Sequence, residues 1–242
     1  MIVDILTLFP EMFSGFLSSI IKRAVDKQIV TINIHDFRPF SKKKSKQVDD
    51  YSYGGGAGMV ISVQPIVDCL RSIPGYEKAH KILTSPIGSI YDQNKALGWS
   101  DNQHLIIICG HYEGIDDRIL NFVDEVVSIG DFILTGGEIV AMAIVDSLVR
   151  LQPNALGNNQ SATTESFQDM LLEYPQFTRP ETFETYTVPD VLICGDHEKI
   201  RQYRRFKSLE RTYQLRPDLL SKAKLTVEDN KWLETIKKGQ SL

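Results

Sequence analysis

Short apolar runs rich in β-branched residues alternate, in the first part of the chain, with stretches of helical or glycine-rich character. Strands that alternate with helices predict a mostly parallel sheet covered by helices on both faces. The sequence up to about residue 150 therefore predicts an α/β fold. The predicted strands are 2–9, 29–37, 81–85, 104–110 and 125–130, and the predicted helices are 11–26, 62–72, 92–98 and 116–122.

The pattern changes after Arg150. Residues 152–166, QPNALGNNQSATTES, are polar and without apolar periodicity, which predicts a linker or an active-site loop. The following part is predicted to be helical, with an apolar stripe formed by Ile200, Tyr203, Phe206, Leu209 and Tyr213. Thr226 and Asp229 predict the capped start of the last helix. The predicted domains are a ligand-binding domain over 1–151, a linker over 152–168 and a small helical domain over 169–242.

Composition adds limits to this picture. The 242 residues are 42% hydrophobic and 24% charged, which supplies enough apolar side chains for a sizeable core. The N-terminal apolar run lacks a preceding basic segment and is interrupted by Asp4 and Pro10, and no later run is long enough to span a membrane. Three widely separated cysteines indicate neither a disulfide framework nor a cysteine zinc site. We therefore expect a soluble protein of the reducing cytoplasm.

The net charge of −4 argues against a protein that is basic over its whole surface. A nucleic-acid partner requires only a local basic face, and two segments could supply one. They are SKKKSK at 41–46 and RQYRRFKSLERTYQLR at 201–216. A solvated loop and a solvated helix face explain these two segments equally well.

Three loops that contain glycine follow predicted strands directly, at 84–89, 109–118 and 128–138. In a parallel sheet they lie at one carboxyl edge, where open α/β sheets bind their ligands. The third loop, SIGDFILTGGE, carries Asp131 and Glu138, contains no Lys or Arg, and matches neither common phosphate-binding pattern. A single loop of this kind is more typical of a tight strand-to-helix turn with packing glycines, but three together favour a ligand site.

Basic residues in these loops are limited to His111 and Arg118. This scarcity favours an adenosine ligand without phosphates, whose base takes main-chain hydrogen bonds. S-adenosylmethionine is the candidate.

Several long motifs resemble those of the bacterial tRNA (guanine-37-N1)-methyltransferase family, and the resemblance spans nearly the whole chain. They are DDYSYGGGAGM (49–59), ICGHYEGIDDR (108–118), SIGDFILTGGE (128–138), LLEYPQFTRP (171–180) and RPDLL (216–220). The resemblance implies an enzyme of the SPOUT class, with a deep trefoil knot in the α/β domain and a helical C-terminal domain. It also implies an obligate homodimer with a composite active site, and methylation of guanosine 37 in tRNA in support of reading-frame maintenance.

The resemblance also implies which residues hold the methyl donor, S-adenosylmethionine. They come from all three loops: Thr84, Ser85, Pro86, Gly110, Tyr112, Glu113, Gly114, Ile115, Ser128, Ile129, Gly130, Asp131, Phe132, Ile133, Leu134, Gly136 and Gly137. The acidic character of the third loop suits a sulfonium cation better than a phosphate.

Methylation at guanine N1 requires a base, because N1 carries a proton at neutral pH, and a donor that stabilises charge on O6. The family uses an Asp and an Arg for these tasks. Arg150 matches the Arg, and Glu165 stands where the family usually has Asp. The extra methylene leaves Asp169 as an alternative base, although the flanking residues favour Glu165.

The resemblance assigns contacts with the anticodon stem-loop of tRNA to five residues. They are Asp50, Gly55, Arg201, Arg204 and Arg205. Magnesium dependence is expected from the family, although the sequence shows no ligand cluster for it.

Two other functions stay open at this point. The same fold could methylate another RNA position such as a ribose 2′-hydroxyl, or the protein could bind RNA without catalysis. A carboxylate at Glu165 favours N1 methylation over the first alternative.

Overall fold

The chain folds into two compact units, unit 1 (Met1–Asn159) and unit 2 (Gln160–Leu242). The computed structural model describes residues 1–156, 166–167 and 169–239. Glu165 and most of the predicted linker lie outside the described residues. Within the described ranges, no helix has the length and apolar character needed to cross a membrane.

Unit 1 is an α/β unit built on one sheet. Its elements are β1 (Ile2–Thr7), α1 (Ser19–Asp26), β2 (Thr31–Asp36), β3 (Asp49–Asp50), β4 (Val60–Ile61), α2 (Val63–Ser72), β5 (His80–Ile90), α3 (Gln93–Ser100), β6 (His104–Cys109), β7 (Glu125–Ser128) and α4 (Glu138–Leu151). Short 3₁₀ helices occupy Pro10–Phe13, Arg38–Phe40, Tyr76–Lys78 and Asp117–Phe122.

Five strands of unit 1 form the sheet in the order β2-β1-β6-β5-β7, and every neighbouring pair is parallel. β3 and β4 form a separate antiparallel pair. The predicted α/β class with a mostly parallel sheet is confirmed. The knot implied by the resemblance stays a prediction.

Apolar side chains cover both faces of this sheet, which explains why its strands have continuous apolar runs. Ile5 and Ile107 pack with Leu148 of α4 in one buried cluster. Leu6 and Ile106, their neighbours along the same strands, belong to the other cluster. Successive side chains of a strand point to opposite faces, so each strand contributes to both layers.

Three predicted elements differ from those observed. The helix predicted at 11–26 is divided, because Ser18 has extended backbone (φ −132°, ψ 178°) between a 3₁₀ helix and α1. The helix predicted at 116–122 is a 3₁₀ helix, a distinction that an apolar pattern over so few residues cannot make. The strand predicted at 81–85 extends to Ile90 as β5, through an irregularity in its pairing with β7.

Unit 2 is mainly helical, as predicted. Its elements are β8 (Thr182–Phe183), β9 (Tyr186–Thr187), a 3₁₀ helix (Asp190–Leu192), α5 (His197–Leu215), α6 (Pro217–Leu220) and α7 (Val227–Lys237). The small β8-β9 hairpin was not predicted. Phe206 and Leu209 from the predicted apolar stripe are buried in the core of unit 2, where they pack with Leu233 of α7. The predicted start of α7 is confirmed, because Thr226 and Asp229 form a reciprocal capping box.

Candidate functional site

Three predicted loops meet at one edge of the sheet in unit 1. β5 lies between β6 and β7, and Thr84 pairs with Cys109 on one side and Val127 on the other. The predicted loop at 84–89 is the irregular part of β5, and the other two glycine-containing loops follow β6 and β7, so the three segments lie side by side. An isolated bridge between His111 and Gly136 joins two of them directly.

A cavity of about 510 Å³ lies between these loops, within the size range of small-molecule sites. We call it the edge cavity. Its lining includes every predicted donor residue except Asp131, which is exposed. The lining also contains His111, Asp117 and Thr135, which the sequence analysis did not assign.

Two consecutive glycines allow the loops to approach this closely. A Cβ added to Gly137 would overlap Thr84 Oγ1 and come within 3.0 Å of both Cys109 Cα and Gly110 N. The Gly137 N–H donates to the Gly110 carbonyl at 2.8 Å. A Cβ added to Gly136 would lie 2.6 Å from His111 Nδ1. The absence of a side chain therefore lets backbone pack against backbone at Gly137 and leaves space for the His111 ring at Gly136.

The charged side chains that line the edge cavity are acidic. Glu113 and Asp117 belong to its lining, whereas the described residues that line it include no Lys or Arg. The side chain of Arg118 is exposed and its Nε donates to Asp116 at 2.8 Å, away from the lining. This charge distribution disfavours a pyrophosphate and suits a neutral or cationic ligand.

His111 is the cation-forming side chain in the lining. Its ring packs against Phe9 and Tyr112, with ring centroids 4.7 Å and 5.0 Å away. Its Nδ1 atom is buried without a hydrogen-bond partner among the described residues. A buried polar atom of this kind is typical of a site that a ligand or water completes. The sequence could have indicated His111 as a site residue, because it lies inside the motif CGHYEG between other predicted donor residues.

Comparison with known proteins adds an independent result. The family model of tRNA (Guanine-1)-methyltransferase TrmD matches residues 1–222. A Clostridium novyi protein named tRNA (guanine-N(1)-)-methyltransferase is 51% identical over 236 residues, covering 98% of each chain. Proteins with the same name from Dictyoglomus turgidum and Staphylococcus haemolyticus are 50% and 48% identical, over 98% of this chain and 96% and 97% of theirs.

The chain belongs to the tRNA (guanine-1)-methyltransferase family. The family predicted from the sequence motifs is thereby confirmed, and the match covers both units of the fold.

The two predicted catalytic residues belong to different units. Arg150 lies in the last turn of α4 in unit 1 and is partly buried. Glu165 falls outside the described residues. Asp169, the alternative base, is described: its carboxylate is 68% exposed and lies 3.4 Å from Arg205 Nη1. Both catalytic assignments stay predictions.

The predicted tRNA contacts are divided between the units in the same way. In unit 1, Asp50 is exposed and accepts a hydrogen bond from Lys43 Nζ at 2.8 Å, which lowers the pKa of Asp50. Gly55 lies in an exposed turn with φ +79°, a conformation that suits glycine. Arg201 and Arg204 are exposed on α5 of unit 2.

Arg205 has a structural role that the sequence analysis did not predict. Its Nε and Nη2 both donate at 2.9 Å to the carboxylate of Asp229, which is 2% exposed. Burial by itself would raise the pKa of Asp229, but the hydrogen bonds from Arg205 and Thr226 lower it. Arg205 therefore joins α5 to the capped start of α7, and a contact of this residue with tRNA stays a prediction.

Metal binding has no support in the described residues. They contain no group of three or more His, Cys, Asp and Glu side chains that could hold a metal ion. The magnesium dependence expected from the family stays a prediction.

Proposed function

We propose that this protein transfers the methyl group of S-adenosylmethionine to N1 of guanosine 37 in tRNA. The observation that carries the proposal is the edge cavity, which lies at the carboxyl edge of a parallel sheet and has acidic groups but no Lys or Arg among its described lining. In a chain of this family, such a cavity is suited to the methyl donor. A tRNA substrate implies that the enzyme acts in the cytoplasm.

The residues of the edge cavity fit the donor in both shape and charge. Gly110, Gly136 and Gly137 line the edge cavity without a side chain, which leaves room for a flat adenine against the backbone. Glu113 and Asp117 supply negative charge for a cationic ligand. When bound, the donor supplies an electrophilic methyl group on a sulfonium and leaves as S-adenosylhomocysteine.

The chain's own residues make guanine N1 reactive in this proposal. The Glu165 carboxylate accepts the N1 proton, so that the lone pair on N1 becomes available for attack. The Arg150 guanidinium donates hydrogen bonds to O6 and stabilises the negative charge that develops there. The N1–methyl bond forms as the bond between methyl carbon and sulfur breaks.

A homodimer with a composite site belongs to the same proposal. Ile87, Phe132 and Ile133 line the edge cavity, yet they are 74%, 53% and 79% exposed. Clustered exposed apolar side chains are typical of protein interfaces. We infer that a second copy covers them, and that each active site combines Arg150 of one subunit with Glu165 of the other.

The proposed reaction is tested by mass spectrometry of nucleosides from unmodified tRNA incubated with protein and S-adenosylmethionine. We expect 1-methylguanosine, and none from a transcript with adenosine at position 37. A 2′-O-methylated product would support the alternative methylation and overturn the proposal. If no methyl is transferred, calorimetry with S-adenosylhomocysteine separates a protein that binds the donor from one that does not.

The composite site is tested by mixing two inactive chains, Arg150→Ala and Glu165→Gln, after unfolding and refolding them together. If each site takes one residue from each subunit, every mixed dimer contains one fully wild-type site. Random pairing then restores roughly one site in four. If both residues of a site come from the same subunit, the mixture stays inactive.

A further inference from the structure

Unit 2 contains a second cavity, with a volume of about 610 Å³. We call it the unit 2 cavity. Its wall is formed by the segment 174–181, by residues around the 3₁₀ helix Asp190–Leu192, and by Arg204 of α5. The groups that carry its chemistry are Tyr174, Phe177, Arg179, Glu181 and Arg204.

The arginines of unit 2 differ in how their charge is compensated. Arg201 donates to Glu198 at 2.9 Å, Arg205 donates to Asp229, and Arg216 donates to Asp218 at 2.9 Å. By contrast, the described residues place no carboxylate within ion-pair distance of Arg204 or Arg179. Arg211 also has no carboxylate partner, but it is partly buried and its Nη1 donates to the Glu173 carbonyl at 2.9 Å. Arg179 and Arg204 are exposed and both line the unit 2 cavity.

Arg204 is nevertheless held in place. Its guanidinium carbon lies 4.9 Å from the centre of the Tyr174 ring. A cation–π contact orders the guanidinium without neutralising its charge, so its N–H groups stay available to an anion. Glu181 is the acidic residue in the lining, so the wall carries two guanidinium groups and one carboxylate.

Phe177 adds an apolar ring beside these cations. Its side chain is 47% exposed, although burial of a phenylalanine stabilises a folded protein. An aromatic ring and guanidinium groups in one cavity wall match the two parts of an unpaired nucleotide, a base that stacks and a phosphate that pairs. Phe177, Arg179 and Arg204 are all exposed, so a base could enter while the polynucleotide chain continues outside.

We propose that the unit 2 cavity binds an unpaired nucleotide of RNA, with the base stacked on Phe177 and the phosphate on Arg204 and Arg179. The inference rests on the proposed function only for the identity of this RNA, which is the tRNA substrate. The cavity itself recognises the chemistry of a single-stranded nucleotide.

The test measures the dissociation constant of unmodified tRNA for the full-length protein and two cavity variants, Phe177→Leu and Arg204→Gln. Phe177→Leu removes one base stack and should raise the dissociation constant of tRNA roughly 5- to 150-fold. Arg204→Gln should weaken binding and lower the slope of log affinity against log salt by about 0.7 to 0.9, because one phosphate contact is lost.

Two matched controls lie outside the cavity in the same unit. Phe183→Leu removes an exposed phenylalanine of β8, and Arg216→Gln removes an arginine that is already paired with Asp218. Both should bind tRNA with the wild-type dissociation constant. Calorimetry with S-adenosylhomocysteine and thermal unfolding verify that all four variants are folded.

Three results would overturn the inference. The first is wild-type affinity for tRNA in both cavity variants, and the second is equal weakening in the controls. The third is a loss of dimer mass in light scattering that accompanies the weaker binding, since the cavity would then be an interface between copies. Adenosine monophosphate that competes as tightly as tRNA would assign the cavity to a free nucleotide instead.

The outcome for this cavity is separable from the outcome for methylation. Binding through Phe177 in a protein that makes no 1-methylguanosine would overturn the proposed function and support the cavity. Formation of 1-methylguanosine together with unchanged tRNA affinity in both cavity variants would support the proposed function and overturn the inference about the cavity.

Discussion

The two cavities of this protein have opposite electrostatic character. The edge cavity of unit 1 contains Glu113 and Asp117 and, among its described lining, no Lys or Arg. The unit 2 cavity contains Arg179 and Arg204 against Glu181. A net charge of −4 for the whole chain conceals this division. Local charge, and not net charge, therefore indicates which ligand each cavity favours.

The cavities also differ in how they are built. The edge cavity depends on close packing at Gly136 and Gly137, where an added Cβ would overlap neighbouring atoms. The unit 2 cavity depends on exposed side chains such as Phe177 and Arg204. An added methyl group should therefore impair ligand binding in the edge cavity, whereas binding in the unit 2 cavity should be impaired by removing side chains.

The largest effect should come from a change that leaves both cavities intact. If Glu165 removes the N1 proton, Glu165→Gln should lower the methyl-transfer rate by roughly 10²- to 10⁴-fold, as is typical for loss of a general base. Affinities for S-adenosylhomocysteine and tRNA should stay at their wild-type values. Single-turnover methyl transfer and two binding measurements check this expectation.

Glu165→Asp is the matched variant, because it restores the residue that the family usually has. It should keep substantial activity, and its single-turnover rate should rise with pH until the base or the guanine has titrated. A Glu165→Gln enzyme with a near wild-type rate would contradict the assignment of the base.

The next largest effect should come from a single methyl group in the edge cavity. The Cβ of Gly137→Ala would overlap Thr84 Oγ1 and crowd backbone atoms of Cys109 and Gly110. Overpacking of this kind displaces the surrounding backbone and costs about 1–3 kcal/mol. We expect S-adenosylhomocysteine to bind roughly 10- to 100-fold more weakly, as calorimetry would measure, while tRNA affinity is preserved.

Gly98→Ala is the control for Gly137→Ala. Gly98 lies in α3 of the same unit, and a Cβ there would meet no atom within 4 Å. The substitution should leave the donor affinity unchanged and stabilise the helix by up to about 1 kcal/mol. Equal losses of donor affinity in both variants would contradict the role given to Gly137.

Salt should separate the cavities without any substitution. Between about 50 and 200 mM salt, two phosphate contacts alone predict a roughly tenfold loss of tRNA affinity. The dissociation constant of S-adenosylhomocysteine should change little, because the described lining of the edge cavity offers no cation for a phosphate. Parallel salt dependence for both ligands would remove the contrast between the cavities.

Much of unit 1 could be predicted, because its signals are local. A buried parallel strand is a short apolar run, and the position of the glycine loops after three such runs predicted where the edge cavity lies. The capping box of α7 was predicted for the same reason, since Thr226 and Asp229 are three residues apart.

Contacts between distant parts of the chain could not be predicted. His35 and His104 are far from Asp4 in the sequence, yet their Nε2 atoms lie 2.5 Å and 2.6 Å from the two carboxylate oxygens of this buried residue. Arg205 was assigned to tRNA, because a helix-face pattern does not show that Asp229 of another helix accepts its hydrogen bonds. Pairing across elements depends on packing, which a pattern along one element does not contain.

The smallest effect should follow from Asp169→Asn. The Asp169 carboxylate is 68% exposed and 3.4 Å from Arg205, whose stronger partner is the buried Asp229. An exposed ion pair contributes at most about 1 kcal/mol, so stability, tRNA affinity and the single-turnover rate should all stay near wild type. Asp229→Asn is the contrasting variant: it removes the buried acceptor of Arg205 and one half of the capping box, and should lower the melting temperature clearly. If Asp169→Asn were inactive while Glu165→Gln kept its rate, the catalytic base would be Asp169, and the register inferred for SATTESFQD would be wrong.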